Sequence, residues 1–165
     1  MARLIEDSTA DVQTLWHGRQ GEKAAFVEWV LSLEPVPETY AKPTDLKEVI
    51  SNIVLNALEA MPNGGQVEIT CTKEQESIHI AIRDTGIGMN EETQKQIFAP
   101  FFSTNEEWGT GLGLAIAYRI IADHEGDIGV KSKVDEGSCF IIKLPISLDP
   151  QNYLEEHDDA ADLDS

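Results

Sequence analysis

Two asparagines stand on one line of a predicted helix. Pro43-Thr44 at its start and Pro62-Asn63-Gly64-Gly65 at its end indicate that helix. Glu48, Asn52 and Asn56 follow at i, i+4 and i+8, which stacks the three side chains. Asparagine is a poor helix former, so helix propensity does not account for the pair. An amide oxygen in this row can bind a hard cation such as Mg²⁺, although an ordinary solvated face has the same pattern.

A carboxylate and two glycines follow a predicted strand. Asp84 ends that strand, and Gly86 and Gly88 come next. A carboxylate fixed there can accept a hydrogen bond from an exocyclic amine, and the glycines let a flat ring approach the backbone. A turn leading into a helix capped by Asn90 explains these residues equally well. The segment lacks the third glycine of a dinucleotide fingerprint, since Glu91 stands there, and the chain has no P-loop.

A glycine-rich run opens a second apolar helix, predicted over residues 111–124. Residues 109–114 read Gly-Thr-Gly-Leu-Gly-Leu. Backbone N–H groups and the helix dipole at such a helix start favour an anion, and phosphate is the obvious candidate. A flexible turn with a close helix–sheet contact is the alternative that this run alone leaves open.

Composition limits the class of partner. The chain has 165 residues, a hydrophobic share of 41% and a formal net charge of −18, values that fit one folded domain. Such an acidic surface repels nucleic acids and anionic membranes, so neither is an expected partner. A phosphate ligand meets the same repulsion, so we expect Mg²⁺ to accompany it. Without a signal peptide or a membrane-span pattern, the expected location is the cytoplasm, even if the parent protein is membrane-anchored.

The remaining elements must hold these segments together. A helix is predicted over residues 8–22, beginning at a Ser-Thr cap, and a strand within residues 24–37. Alternating apolar and polar residues predict hairpins over residues 66–84 and 127–146. Hairpins beside long helices indicate an α/β fold. We expect a two-layer sandwich with a mixed, mainly antiparallel sheet and helices on one face.

Four short motifs carry a family resemblance. They are NIVLNALEA at 52–60, DTGIGM at 84–89, IFAPFF at 97–102 and GTGLGLAI at 109–116. Their order is that of the N box, first glycine box, F box and second glycine box of one family. The chain resembles the ATP-binding catalytic domain of sensor histidine kinases, in the GHKL superfamily. This resemblance implies a Bergerat fold over residues 8–147, after a lead-in at 1–7 and before an acidic tail or linker at 148–165.

The resemblance also implies the ligands and their residues. ATP and Mg²⁺ are the implied cofactors. Asn56 would bind the metal, Asp84 would accept from the adenine N6 amine, and Gly86 and Gly88 would shape the adenine pocket. The lid would lie between Phe101 and Gly109. Phe98, Phe101 and Phe102 would pack at the base of this lid. The remaining implied nucleotide contacts are Phe101, Gly109, Thr110, Gly111, Leu112 and Gly113.

The resemblance further implies a reaction and its partners. Family members that hydrolyse ATP have a glutamate general base where this chain has Asn52, which cannot take a proton at neutral pH. With Asn52 and Asn56 as its catalytic residues, the site should favour transfer of the γ-phosphate to a histidine on a dimerisation domain. A response regulator would act downstream. His17, His79, His124 and His157 lack the phosphoacceptor context, and His124 is expected to pack or cap.

Two other functions stay open from the residues alone. Glu59 and Asn105 stand where many members of the family have a lysine, which fits a degenerate kinase that acts as a nucleotide-gated interaction module. A stand-alone serine kinase of the anti-sigma type is the other alternative. It ranks lower because that branch commonly has glutamate at the position of Asn52.

Overall fold

The computed structural model describes residues 1–21, 25–103 and 111–146. Within these ranges the chain forms five strands and four helices. The helices are α1 (Ala2–Gln20), α2 (Pro43–Glu59), α3 (Glu91–Gln96) and α4 (Gly113–Asp123). The strands are β1 (Val27–Leu33), β2 (Gly65–Glu74), β3 (Ser77–Asp84), β4 (Asp127–Lys133) and β5 (Gly137–Pro145).

The strands form one mixed sheet in the order β1-β2-β3-β5-β4. Strand β1 pairs with β2 in parallel, because α2 carries the chain between them, whereas the other three pairings are antiparallel. Both predicted hairpins are present. Gln75 (φ 53°) and Asp135 (φ 63°) adopt the left-handed conformation that their tight turns require. The predicted α/β sandwich with a mainly antiparallel sheet is therefore confirmed.

The helices pack on one face of the sheet and enclose the core. Helix α2 lies between α1 and α4. Its apolar stripe is wide because leucine, isoleucine, valine and alanine recur at helical spacing, and its fully buried positions include Val49, Ile50, Ile53 and Val54. Inward residues of β2, β3 and β5 complete the core, since alternate side chains of a strand point to the same face. They include Val67, Ile69, Ile78, Ile80, Ile82, Phe140, Ile142 and Leu144.

Helix α1 begins earlier than the sequence indicates. The predicted start near residue 8 is wrong, because the helix runs from Ala2 and Ile5 is fully buried in the core. The Ser8 hydroxyl donates to Leu4 O at 2.7 Å, and the Thr9 hydroxyl donates to Ile5 O at 2.8 Å. These hydroxyls bond back within the helix, so they do not cap its start.

His124 ties the end of α4 to the start of α2. Its Nδ1–H donates to Ile120 O at 2.7 Å, and its Nε2 accepts from the Lys42 N–H at 3.3 Å. Lys42 is the N-cap residue of α2, and its own side chain makes no cap hydrogen bond. The imidazole is 8% exposed, so both bonds are largely shielded from water. The expected packing or capping role of His124 is confirmed.

Replacing His124 should therefore destabilise the fold. In His124→Ala the Lys42 N–H and the Ile120 carbonyl lose a buried partner, and we expect the free energy of unfolding to fall by about 1–3 kcal/mol. Urea denaturation measures this change. His17→Ala, on the exposed side of α1, is the control and should change stability by less than about 0.5 kcal/mol. Equal losses in the two variants would contradict the helix-tying role.

Candidate functional site

The carboxylate of Asp84 is buried at the end of β3. Its residue is 1% exposed. Oδ1 accepts from the Gly86 N–H at 2.8 Å and from the Ser138 N–H at 3.3 Å. Oδ2 is also buried, and it has no hydrogen-bond partner among the described residues. One oxygen of this carboxylate is thus fixed, and the other is available to a donor from outside the protein.

The electrostatics of Asp84 follow from its burial. Desolvation disfavours the charged carboxylate and raises its pKa, and the hydrogen bonds from Gly86 and Ser138 oppose that shift without cancelling it. The ionised form is therefore held in the folded protein at a free-energy cost. Buried polar groups held at a cost are frequent at functional sites.

The glycine loop after Asp84 presses against the end of α2. The Ile87 N–H donates to Ala60 O at 3.0 Å. A Cβ at Gly86 would lie 2.5 Å from the same carbonyl oxygen. At Gly88 (φ 65°) a Cβ would overlap the carbonyl of Lys133. Both predicted glycines therefore lie beside Asp84, at positions where any side chain would push the loop outward.

The asparagine row of α2 runs toward the start of α4. A Cβ at Gly113 would lie 3.2 Å from Asn52 Oδ1, so this asparagine stands directly against the first residue of α4. Asn52 Nδ2 is buried, and it has no partner in the described part of the chain. Asn56 is half-buried one turn further along α2, whereas Glu48 is exposed. The structure thus brings Asn52 and Gly113 together and leaves Glu48 in solvent.

Gly111 and Leu112 form the approach to α4. Gly111 has φ 68°, and the Phe101 N–H donates to its carbonyl at 3.0 Å. A Cβ at Gly111 would lie 2.7 Å from the Phe101 carbonyl carbon, so only glycine fits this approach. Leu112 is the N-cap of α4, and its carbonyl accepts the N–H of Ile116 at 2.8 Å.

The three phenylalanines divide into two roles. Phe98 packs against Phe140 with ring centroids 6.2 Å apart and against Tyr118 at 5.5 Å, and Phe102 contacts the core. The expected apolar packing of the Phe101 ring is wrong, because that residue is 78% exposed. Its backbone (φ 64°) meets Gly111 instead and turns the side chain outward. Gly109, Thr110, Asn105, the predicted lid from residue 104 onward and the acidic tail lie outside the described residues.

Three polar residues of this region have no place in the sequence motifs above. Ser138 lies opposite Asp84 in the β3–β5 register, and Ser132 lies opposite Ser138 in the β4–β5 register. The side-chain amide of Gln94 in α3 makes two hydrogen bonds with the backbone of Ser132. Its Oε1 accepts from the Ser132 N–H at 3.2 Å, and its Nε2 donates to the Ser132 carbonyl at 3.0 Å. The signal in the sequence was Ser138 itself, a polar residue at an inward position of an otherwise apolar strand.

The described residues contain no ready-made metal cage. In the described ranges, no group of three or more His, Cys, Asp or Glu side chains could hold a metal ion. Nor does any helix there combine the length and hydropathy needed to cross a bilayer.

Comparison with known proteins identifies the family. The profile of the histidine kinase-, DNA gyrase B-, and HSP90-like ATPase family matches residues 41–148. The chain belongs to this family. It is a catalytic domain of the histidine kinase type. It is 41% identical over 128 residues to sporulation kinase E of Bacillus subtilis (strain 168), covering 77% of this chain. It is 36% identical over 121 residues to the sensor histidine kinase ZraS of Escherichia coli (strain K12), covering 72% of this chain.

A solved structure agrees with the fold. The full-length ShkA structure in complex with AMPPNP superposes with a TM-score of 0.71 at 29% identity, covering 86% of this chain and 30% of that one. The matches span only 17% of sporulation kinase E and 26% of ZraS. The present chain therefore corresponds to one domain of these longer kinases.

The contact of Gly86 with α2 can be tested by adding one methyl group. Gly86→Ala places a Cβ 2.5 Å from Ala60 O and should lower the free energy of unfolding by about 1–3 kcal/mol, the usual cost of overpacking. Gly18→Ala is the matched control, because nothing lies within 4 Å of a Cβ there. As a helical glycine, Gly18 should yield a gain of about 0.5–1 kcal/mol. Similar effects from the two substitutions in thermal denaturation would refute the contact.

The cost of the buried carboxylate gives a second prediction. Asp84→Asn removes the charge and keeps an acceptor for Gly86 and Ser138, so we expect the fold to gain about 1 kcal/mol at pH 7. The folded pKa of Asp84 is raised, so its favourable contribution is present at low pH and is lost as pH rises through that folded pKa. The gain should therefore shrink as the pH of urea denaturation is lowered. A gain that is constant with pH, or one equalled by the exposed control Asp127→Asn, would contradict this assignment.

Proposed function

We propose that this domain binds Mg-ATP and transfers the γ-phosphate to a histidine of a dimerisation domain. The observation that carries the proposal is Asp84 Oδ2, a buried acceptor without a partner in the described residues, beside a loop where Gly86 leaves room for no side chain. An exocyclic amine supplies the missing donor. The adenine N6 amine is such a group, and the glycines of the loop allow its ring to lie against the backbone.

The phosphates would lie at the start of α4. Gly111, Leu112 and Gly113 bring backbone N–H groups to a helix N-terminus, where the dipole favours negative charge. Gly109 and Thr110 would extend this cradle on the preceding segment. Because Asn52 stands against Gly113, the asparagine row of α2 faces the same region.

Asn56 would hold the metal through its amide oxygen. Mg²⁺ prefers oxygen ligands and usually binds through one or two protein groups together with phosphates and waters. This requirement fits a site with an asparagine and no carboxylate cage among the described residues. When bound, Mg²⁺ supplies charge neutralisation for the transferred group.

The chemistry favours transfer over hydrolysis. Asn52 can donate and accept hydrogen bonds, but it cannot remove a proton from water at neutral pH. Phosphoryl transfer depends mainly on position and charge, so it does not require a strong base from this chain. The names of the relatives, sporulation kinase E and the sensor histidine kinase ZraS, support a kinase over a pure binding module.

The acceptor histidine would come from a dimerisation domain in the same or another chain. His124 is engaged by Ile120 and Lys42, and so serves structure. A response regulator would receive the phosphoryl group downstream. We place the domain in the cytoplasm, where ATP is supplied. We extend the functional unit of residues 8–147 back to Ala2, because α1 begins there and Ile5 is fully buried in the core.

Calorimetric titration with ATP, with and without Mg²⁺, tests the site. The wild-type chain should bind with a dependence on Mg²⁺. Asp84→Asn should lose about 1.5–3 kcal/mol of binding free energy in both conditions, as expected for a charge-assisted hydrogen bond, and Asn56→Ala should lose a similar amount only with Mg²⁺. Asp127→Asn, an exposed substitution on β4, should bind as the wild type does.

A transfer assay then tests the reaction. The domain is mixed with a dimerisation domain from a related kinase, and acid-labile phosphohistidine is measured. Binding of Mg-ATP without any transfer would reject the kinase function and leave a nucleotide-gated module. Wild-type affinity in both Asp84→Asn and Asn56→Ala would reject the assigned site itself.

A further inference from the structure

Three polar residues form a row across the last three strands of the sheet. Ser132 of β4 pairs with Ser138 of β5, and Ser138 pairs with Asp84 of β3. Ser138 is 5% exposed and donates its backbone N–H to Asp84 Oδ1 at 3.3 Å. Its hydroxyl lies 2.9 Å from the hydroxyl of Ser132. The row thus leads from the edge of the sheet to the buried carboxylate.

The contacts of Ser132 decide which hydroxyl donates. Ser132 Oγ accepts the N–H of Met89 at 2.8 Å and lies 2.9 Å from Gly137 O. A carbonyl oxygen can only accept, so the single hydroxyl hydrogen of Ser132 goes to Gly137. The remaining contact, with Ser138, is then made by the hydrogen of Ser138. That hydrogen consequently points toward Ser132 and not toward Asp84.

With this orientation the Ser138 hydroxyl does not donate to Asp84, whose Oδ2 has no partner in the described part of the chain. Ser138 lies directly opposite Asp84 in the β3–β5 register, and its backbone nitrogen is 3.3 Å from Oδ1. Directly opposed residues hold their Cβ atoms about 4.5–5.5 Å apart, so we infer that rotation of the Ser138 side chain can direct its hydroxyl to the carboxylate. A hydroxyl that donated to Asp84 would satisfy the carboxylate from within. It would then compete with any amine that approached from outside.

We propose that Ser132 is a positioning residue that diverts the hydroxyl hydrogen of Ser138 away from Asp84 and thereby keeps the carboxylate open to the 6-amino group of a purine nucleotide. This inference rests on the proposed adenine-binding role of Asp84. It adds a selectivity device outside the four sequence motifs. Ser132 itself does not contact the nucleotide in this scheme.

Gln94 keeps Ser132 in place. Its side-chain amide accepts from the Ser132 N–H at 3.2 Å and donates to Ser132 O at 3.0 Å and to Met89 O at 3.1 Å. The Gln94 side chain therefore connects β4 to the loop that contains Met89. The N–H of Met89 in turn donates to Ser132. Since β4 is an edge strand, no further strand fixes this side of Ser132.

The test compares Ser132→Ala with a double variant, Ser132→Ala/Ser138→Ala. The first readout is the carboxyl pKa of Asp84, measured by NMR in the nucleotide-free protein. In Ser132→Ala the freed Ser138 hydroxyl donates to Asp84 and lowers this pKa. The double variant has no hydroxyl at either position, so the pKa of Asp84 should return toward the wild-type value. Met89 and Gly137 lose their contact with the Ser132 hydroxyl in both variants, so this loss cannot account for a difference between the two variants.

The second readout is affinity for ATP and for inosine triphosphate, which has a 6-oxo group in place of the amine. Ser132→Ala should weaken ATP binding about fivefold, the typical value of one hydrogen bond, and leave inosine triphosphate binding unchanged. The double variant should regain the wild-type ratio of the two affinities. Ser132→Thr keeps a hydroxyl and should retain that ratio, and Ser32→Ala, an exposed substitution in the other edge strand, should change neither readout.

The outcomes are distinct. An unchanged Asp84 pKa in Ser132→Ala, or equal losses of both nucleotides, would overturn the proposal and leave Ser132 a purely structural residue. If the wild-type chain bound no ATP, the proposed function would fail, while the NMR readout would still decide whether Ser132 controls the hydroxyl. Should Ser132→Ala not fold, Gln94→Leu loosens the same strand residue and must shift both readouts in the same direction.

Discussion

The site depends on one buried carboxylate that the protein only half satisfies. Asp84 is buried at the end of a central strand, between β2 and β5, where water cannot solvate its charge. Two backbone N–H groups fix Oδ1, and Oδ2 has no partner in the part of the chain that the structure describes. The end of α2 and the start of β5 both contact the glycine loop that follows Asp84. Their packing holds in place a group that would otherwise be more stable in water or protonated.

The glycines of the site act through close contact more than through flexibility. Gly86 touches the Ala60 carbonyl of α2, and Gly111 touches the backbone of Phe101. The first contact joins a loop to the end of α2, and the second joins the approach to α4 to the turn after α3. A side chain at Gly86 would push the loop after Asp84 away from α2, and one at Gly111 would push the approach to α4 away from Phe101. The glycines in motifs that indicate phosphate or adenine binding are therefore also needed for close packing.

Local patterns predicted the elements well, and contacts over long range were harder to predict. The apolar stripe of α2 and the alternation in both hairpins arise from period and turn chemistry within a few residues. The predicted start of α1 was wrong because serine and threonine can either cap a helix or hydrogen-bond to a carbonyl of the preceding turn, and Ser8 and Thr9 do the latter. The exposed ring of Phe101 depends on its contact with Gly111, and the row of Ser132 and Ser138 depends on strand register. Strand register and contacts between distant segments cannot be predicted from the sequence of one segment alone.

The question of a general base depends on where acidic groups stand along α2. Asn52 occupies the position nearest the start of α4, and the half-buried Glu59 is the acidic residue further along the helix. Burial raises the pKa of Glu59, and the charge of Arg19 partly opposes this shift, so its carboxyl accepts a proton more readily than an exposed one does. Seven residues of helix nevertheless separate it from Asn52, a rise of about 10 Å. A base at that distance cannot activate water beside Gly113. The arrangement is therefore consistent with the proposed transfer of the γ-phosphate to an acceptor on another domain.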